Sequence, residues 1–202
     1  KSCGLFFLDI SSAFYTVLRG LCFEAVECQS EEAIAALVRS LNLPEEAFHD
    51  LCSELRKPPS IVRAGVDRHL EAITAENNAS TWFSVQGLRQ VAHARKGSRP
   101  GDSYGDILFN FLAARVIKEV DCDLHAAGID AKIQWDGKRV LARGGEVSVS
   151  VHTSTAWMDD LVYMFEADSA TAIVAKAKVL AEVVHDSFMR FGLILNRKGG
   201  KT

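Results

Sequence analysis

Trp157-Met158-Asp159-Asp160-Leu161-Val162-Tyr163-Met164 sets two adjacent acids between the strand-like stretches 147–157 and 161–166. A tight hairpin turn is predicted at Met158-Asp159-Asp160. A second apolar run, Leu5-Phe6-Phe7-Leu8-Asp9-Ile10, reads as a buried strand with Asp9 near its end. Aspartate is a poor strand residue, and burying an unpaired carboxylate is costly. Adjacent carboxylates also repel each other, so something positive is expected to compensate them. A divalent cation is the simplest candidate, and carboxylate oxygens suit Mg²⁺. Taken alone, Asp159-Asp160 reads as a solvated turn, because aspartate is a turn former. Asp9 alone carries as little.

The flanking chain supplies the rest of the fold. Ser30 is positioned to cap a helix with Ile34, Leu37, Val38 and Leu41 on one face. Pro44 opens a second, with Phe48, Leu51, Cys52 and Leu55, which Pro58-Pro59 ends. A third helical stretch carries Val62, Val66, Leu70 and Ile73. Residues 81–87 alternate as a strand. A Gly/Pro/Asp/Ser-rich loop spans 95–106, and a long helix comes next with the stripe Leu108, Leu112, Val116, Val120 and Leu124. Trp135-Asp136-Gly137-Lys138 reads as a hairpin turn between short strands. The last helix runs from about Asp168 to Phe191, striped by Ile173, Ala177, Leu180, Ala181, Val184, Phe188 and Phe191. Gly192 stops it. Strand, helices, strand, helix, hairpin, helix: this order predicts a single α+β domain, a small antiparallel sheet with helices packed on one face.

Composition excludes several classes. With 48% apolar and 24% charged residues in 202, the chain can bury a core and is not disordered. Its apolar runs are too short to span a bilayer, so no membrane partner is expected. A net charge of −3 removes bulk basicity as an argument for nucleic-acid binding. Five cysteines without a CxxC pair exclude a disulfide framework or zinc knuckle and read as reduced, buried thiols of an intracellular protein. The histidines show no HExxH spacing. The chain lacks an initial Met and stops at Lys201-Thr202, so it reads as a piece of something longer.

Four boxes, in order, resemble the palm motifs of reverse transcriptases. Leu8-Asp9-Ile10-Ser11-Ser12-Ala13-Phe14 is similar to the first, with an aromatic five residues after the acid. Lys96-Gly97-Ser98-Arg99-Pro100-Gly101-Asp102, leading to Ile107-Leu108-Phe109-Asn110, is similar to the second. Trp157-Met158-Asp159-Asp160 resembles the aromatic-x-Asp-Asp box. Phe191-Gly192-Leu193-Ile194-Leu195-Asn196 with Gly200-Lys201-Thr202 resembles the next motif in the family's order. The Leu-Phe-Asn and Gly-Leu-x-Leu-Asn boxes are closest to the non-LTR retrotransposon type.

The resemblance implies a polymerase palm over 1–202, with fingers before Lys1 and thumb after Thr202. It implies an RNA-directed DNA polymerase that transfers nucleotides by a two-metal mechanism, with Mg²⁺ (or Mn²⁺) as cofactor. Asp9 and Asp159 would be the principal metal ligands, Asp160 a third carboxylate, and the Ile10 carbonyl a further ligand. Ser11, Ser12, Ala13, Pro100 and Gly101 would lie at the incoming triphosphate. Phe14 would bar a ribose 2′-hydroxyl. Gly97 would let its loop approach nucleotide and template. Arg95, Lys96, Arg99, Trp157 and Met158 would contact template or primer, and Lys201 would serve the leaving pyrophosphate. The implied partners are RNA template, DNA primer and deoxynucleoside triphosphates, and the implied location is nuclear.

This chain departs from the pattern in four places. Pro100 stands where the family usually has glutamine and supplies neither an N–H nor a side-chain hydrogen bond. Gly105-Asp106 replaces a Ser-Pro pair, Tyr15 replaces an acid common in non-LTR members, and Trp157 opens the Asp-Asp box. An inactive, polymerase-derived nucleic-acid-binding scaffold is therefore the alternative outside catalysis. Another palm, such as an RNA-dependent RNA polymerase, is the alternative within it.

Overall fold

The computed structural model describes residues 2–25, 28–41, 43–79, 81–87, 89–98, 103–129, 132–135, 148–151, 154–157 and 160–196. In chain order the elements are β1 (Ser2–Asp9), α1 (Ala13–Thr16), α2 (Arg19–Cys22), α3 (Glu31–Arg39), α4 (Glu45–Arg56), α5 (Ser60–Arg63), α6 (Arg68–Asn78), β2 (Trp82–Ser84) and β3 (Val91–His93). They continue with α7 (Ser103–Ala126), β4 (Lys132–Trp135), β5 (Ser148–Val151), β6 (Ser154–Trp157), β7 (Asp160–Ala167) and α8 (Ala170–Arg190). The chain is α+β, and every strand pairing among the described residues is antiparallel. It forms two compact units: residues 1–9 with 117–184, and residues 10–116 with 185–202.

The first unit is built on a sheet with strand order β1-β7-β6. Its faces are set by period-2 alternation. Leu161, Tyr163, Phe165 and Ala167 of β7 and Leu8 of β1 are buried, whereas Leu5 and Phe7 are 60% and 70% exposed. One face is thus covered and the other open. The stripe positions Val120 and Leu124 of α7 and Leu180 and Val184 of α8 are fully buried in the same unit. Burial pushes the Tyr163 phenol up, and the Asp121 carboxylate adds to the effect. Asp121 also accepts from Ser154 Oγ at 3.2 Å.

In the second unit, Ser30 caps α3 as expected, its Oγ accepting from Ala33 N at 3.1 Å. Buried apolar side chains include Ile34 and Val38 of α3, Leu51 and Leu55 of α4, Leu108, Leu112 and Val116 of α7, and Phe188 and Phe191. A buried ion pair stands among them. Glu54 binds Arg115, and both side chains are about 5% exposed. Lys57 binds the other Glu54 oxygen, and the Arg115 guanidinium lies 5.1 Å from the Phe191 ring centre. Burial pushes the nearby Cys22 thiol up to about 12, against the opposing pull of Arg115.

Three expectations need correction. The third helical stretch is broken: Gly65 adopts φ +74°, Val66 N bonds back to Ile61 O at 3.1 Å, and Asp67 starts α6 by accepting from His69 N at 2.8 Å. A left-handed glycine with a capping aspartate after it outweighs the apolar period there. The strand at 81–87 is shorter, Trp82–Ser84, and pairs with β3 as a hairpin exposed on both faces. Trp135 of β4 is opposite Ser148 of β5, and the turn expected at Asp136-Gly137-Lys138 lies outside the described residues. Cys3 and Cys122 are exposed, not buried, since one alternates onto the open face of β1 and the other falls off the α7 stripe.

Candidate functional site

Sheet register brings the acids together. β1 pairs with β7 from Ser2↔Ala167 through Leu8↔Leu161 to Asp9↔Asp160. Directly opposite residues share a face, with Cβ atoms roughly 4.5–5.5 Å apart. Leu8 and Leu161 are buried, so Asp9 and Asp160, one position along, lie on the open face with Phe7 and Leu5. Asp9 is half-buried and Asp160 exposed. Like charges set opposite each other in a sheet are destabilising, and a cation bound between them reverses the sign. The acid facing Asp9 is Asp160, which the resemblance treats as the third carboxylate. Asp159 and Met158 lie outside the described residues, as do Arg99, Pro100, Gly101 and Lys201; β6 opposes Asp160 with Trp157. Among the described residues no three metal-ligating side chains converge.

The chain after Asp9 is held by the fourth box. In the second unit Ile10 forms an antiparallel bridge with Leu195, and Ser11 N donates to Ile194 O at 2.8 Å. Ser12 then enters the left-handed region at φ 53°, ψ 40° and starts α1. Its carbonyl accepts from Tyr15 N at 2.8 Å and Thr16 N at 3.1 Å. Among the described residues, the N–H groups of Ser12 and Ala13 donate to no partner. Successive free N–H groups beside a left-handed residue form an anion-binding concavity. Phe14 is half-buried, its ring 4.7 Å from that of Phe109.

The second box meets this same segment from the other side. Gly97 N donates to Val17 O at 2.7 Å, and Ser98 N to Phe14 O at 2.8 Å. Gly97 sits at φ +87°, and a Cβ there would stand 2.9 Å from Tyr15 O and 3.1 Å from Phe14 O. The close approach that this glycine permits is therefore to the main chain of Phe14-Tyr15. Arg95 and Lys96 just before it are exposed.

Arg19 locks the arrangement, a residue the motif reading passed over. It is 4% exposed, and its guanidinium donates to Gly97 O at 3.1 Å, Asn78 O at 2.8 Å and Thr81 Oγ1 at 2.7 Å. Thr81 Oγ1 donates in turn to Ala94 O at 3.2 Å. The sequence signal was a lone charge within the apolar run Val17-Leu18-Arg19-Gly20-Leu21-Cys22. A planar fork with several donors suits such a task, tying α2 to the end of α6 and to the loop after β3.

Gly97→Ala will test this packing. The left-handed backbone alone costs a residue with Cβ about 1–2 kcal/mol, and the blocked approach adds to it. A fall in Tm of roughly 5 °C or more is expected at about 2–4 °C per kcal/mol. An unchanged melting curve contradicts the packing of Gly97 on Tyr15.

The chain matches no protein-family model and no curated protein.

Proposed function

We propose that this chain is the palm of a reverse transcriptase of the non-LTR retrotransposon type, an RNA-directed DNA polymerase. The observation that carries the proposal is the register that sets Asp9 directly opposite Asp160. It is supported by the segments flanking that acid in the chain. Ile10-Ser11 pairs with Ile194-Leu195 of the last box, and Phe14-Val17 binds Gly97-Ser98 of the second.

The donor set fits the cofactor. Carboxylates opposed on the open end of a sheet suit a hard, oxygen-seeking cation and offer no soft ligand. Asp9, Asp159 and Asp160, with the Ile10 carbonyl, would hold Mg²⁺ or Mn²⁺, which would supply acidity to a primer 3′-hydroxyl and charge to the leaving pyrophosphate. The chain's own groups do the remaining work. The Ser12 and Ala13 N–H groups receive phosphate oxygens. Phe14 excludes the 2′-hydroxyl of a ribonucleotide. Lys201 donates to the pyrophosphate. Template RNA, primer DNA, deoxynucleoside triphosphates and a nuclear site of action belong to the same proposal. Among the described residues no helix is long and apolar enough to cross a membrane.

Primer extension on an RNA template by the protein carrying this chain tests the proposal. Incorporation of deoxynucleotides that requires Mg²⁺ or Mn²⁺ and stops with a chelator is expected. A protein that binds template and primer yet extends in no divalent metal contradicts it and matches a non-catalytic scaffold. Phe14→Ala is expected to raise ribonucleotide incorporation relative to deoxynucleotide about tenfold or more, the discrimination a steric pocket supplies. Unchanged sugar selectivity removes Phe14 from that role.

A further inference from the structure

The segment that carries Phe14 holds itself weakly. Its helix, α1, is four residues long, a single turn that local bonding alone does not sustain. Outside that turn, Phe14 O accepts from Ser98 N at 2.8 Å and Val17 O from Gly97 N at 2.7 Å. Two short pieces of chain thus brace each other, and Arg19 ties the braced pair to the helices of the second unit.

Arg19 works from a fixed base. All four residues of α2 are buried, and a Cβ on Gly20 would clash with Cys28 Sγ and stand 3.1 Å from Leu55 Cδ2. Leu21 O accepts from Ser60 Oγ at 2.9 Å, which binds α2 to α5. From this base the guanidinium divides its donors among three segments. Nε reaches Gly97 O, and the terminal nitrogens reach Asn78 O, at the C-terminal end of α6, and Thr81 Oγ1. Gly97, Asn78 and Thr81 are buried, so a lost bond leaves a buried polar group unsatisfied. A lysine ammonium on the same stem has no planar fork and cannot serve the three acceptors in this geometry.

We infer that Arg19 is a positioning residue for sugar selectivity. Through Gly97-Ser98 it fixes the main chain of Phe14, and with it the place of the ring, on which steric exclusion depends to within about 0.5 Å. The inference rests on the proposed function, which puts Phe14 at the sugar of the incoming nucleotide. It adds a residue that lies outside all four boxes and touches neither nucleotide nor metal.

Primer extension on an RNA template by the whole protein tests it. The quantity read is the ratio of kcat/KM for a deoxynucleotide to that for the matching ribonucleotide. Both are measured on one preparation, so any unfolded fraction cancels. Arg19→Lys is expected to lower the ratio about tenfold, the size of discrimination a steric pocket supplies. Thr81→Val keeps the shape of the side chain but removes one acceptor, and is expected to lower it about threefold. In a Phe14→Ala background, Arg19→Lys is expected to change the ratio no further, because the group through which it acts is gone. An unchanged ratio in both single variants overturns the inference, as does an equal loss with and without the Phe14 ring. Either result leaves the proposed function standing, whereas a wild type that extends no primer overturns both. Should Arg19→Lys fail to fold, Thr81→Val decides by the same ratio and by amide hydrogen exchange. Faster exchange at Gly97 and Ser98, with the Tyr163 amide of β7 unchanged, is expected. Unaltered exchange at both amides overturns the tether.

Discussion

Glu54→Ala is expected to lower the free energy of unfolding by about 3 kcal/mol, the usual result of removing one partner from a buried ion pair. At roughly 2–4 °C per kcal/mol, the melting temperature should fall by about 10 °C. The cause is the charge left behind. Arg115 stays about 6% exposed, with its guanidinium over Phe191, and loses the carboxylate that compensated its burial. Replacing the pair together, as Glu54→Leu with Arg115→Met, should recover much of the loss, because both desolvation costs disappear at once. Urea denaturation of Glu54→Leu, Arg115→Met and the double variant gives the cycle. The contrasting pair is Arg56 with Glu31, bonded at 2.9 and 2.5 Å but with side chains 52% and 63% exposed. Glu31→Ala should change little, because solvent screens that pair. Equal losses at Glu31 and Glu54 would contradict the assigned burial.

Under the proposed function, in which these acids would hold the metal, Asp9→Asn and Asp160→Asn are expected to have the largest effect on activity. Removing a metal-holding carboxylate forfeits charge stabilisation of several kcal/mol in the transition state. Extension should fall at least about a hundredfold, which corresponds to roughly 3 kcal/mol. Stability should move the other way. The Asp160 carboxylate opposes that of Asp9 across β1 and β7, so Asp160→Asn relieves repulsion and leaves the metal-free protein as stable as before or slightly more so. The combination separates a catalytic role from a structural one. A variant that loses activity because it unfolds would contradict the account, as would one that extends normally.

Much of the fold was legible because it rests on local periodicity. The α7 stripe from Leu108 to Leu124 is buried where the 3.6-residue period puts it, as are Leu180, Val184, Phe188 and Phe191 of the last stripe, while Ile173, Ala177 and Ala181 are half-buried. Ser30 caps because its side chain and its neighbours alone decide the matter. Features set by distant partners were not legible. Glu54 falls on the apolar face of α4 between Leu51 and Leu55, but its partner Arg115 is 61 residues away. Arg19 reaches Gly97 across 78 residues. The break at Gly65 was readable, since a glycine two residues before an aspartate is a stop and then a cap, yet the apolar spacing of Val62, Val66 and Leu70 masked it.

The candidate site divides in the same way. An acid closing an apolar run and an Asp-Asp box are visible in one dimension. Which of Asp159 and Asp160 faces Asp9 is decided by strand register, and a slip of one residue would turn every side chain of β7 to the opposite face. The register chooses Asp160 because it puts Leu161, Tyr163 and Phe165 on the covered face of the sheet. Gly97 shows the same limit. Its need for glycine was visible, but not that the group it approaches is the main chain of Phe14-Tyr15.

The most direct test of the paired acids is binding of Mn²⁺ itself, monitored by the loss of its electron paramagnetic resonance signal on titration into the protein. Wild type is expected to take up the ion, with affinity lowered in Asp9→Asn and again in Asp160→Asn, and with a matching loss of the rise in Tm that the ion produces. Uptake that is identical in wild type and in the variant lacking both carboxylates would contradict the account.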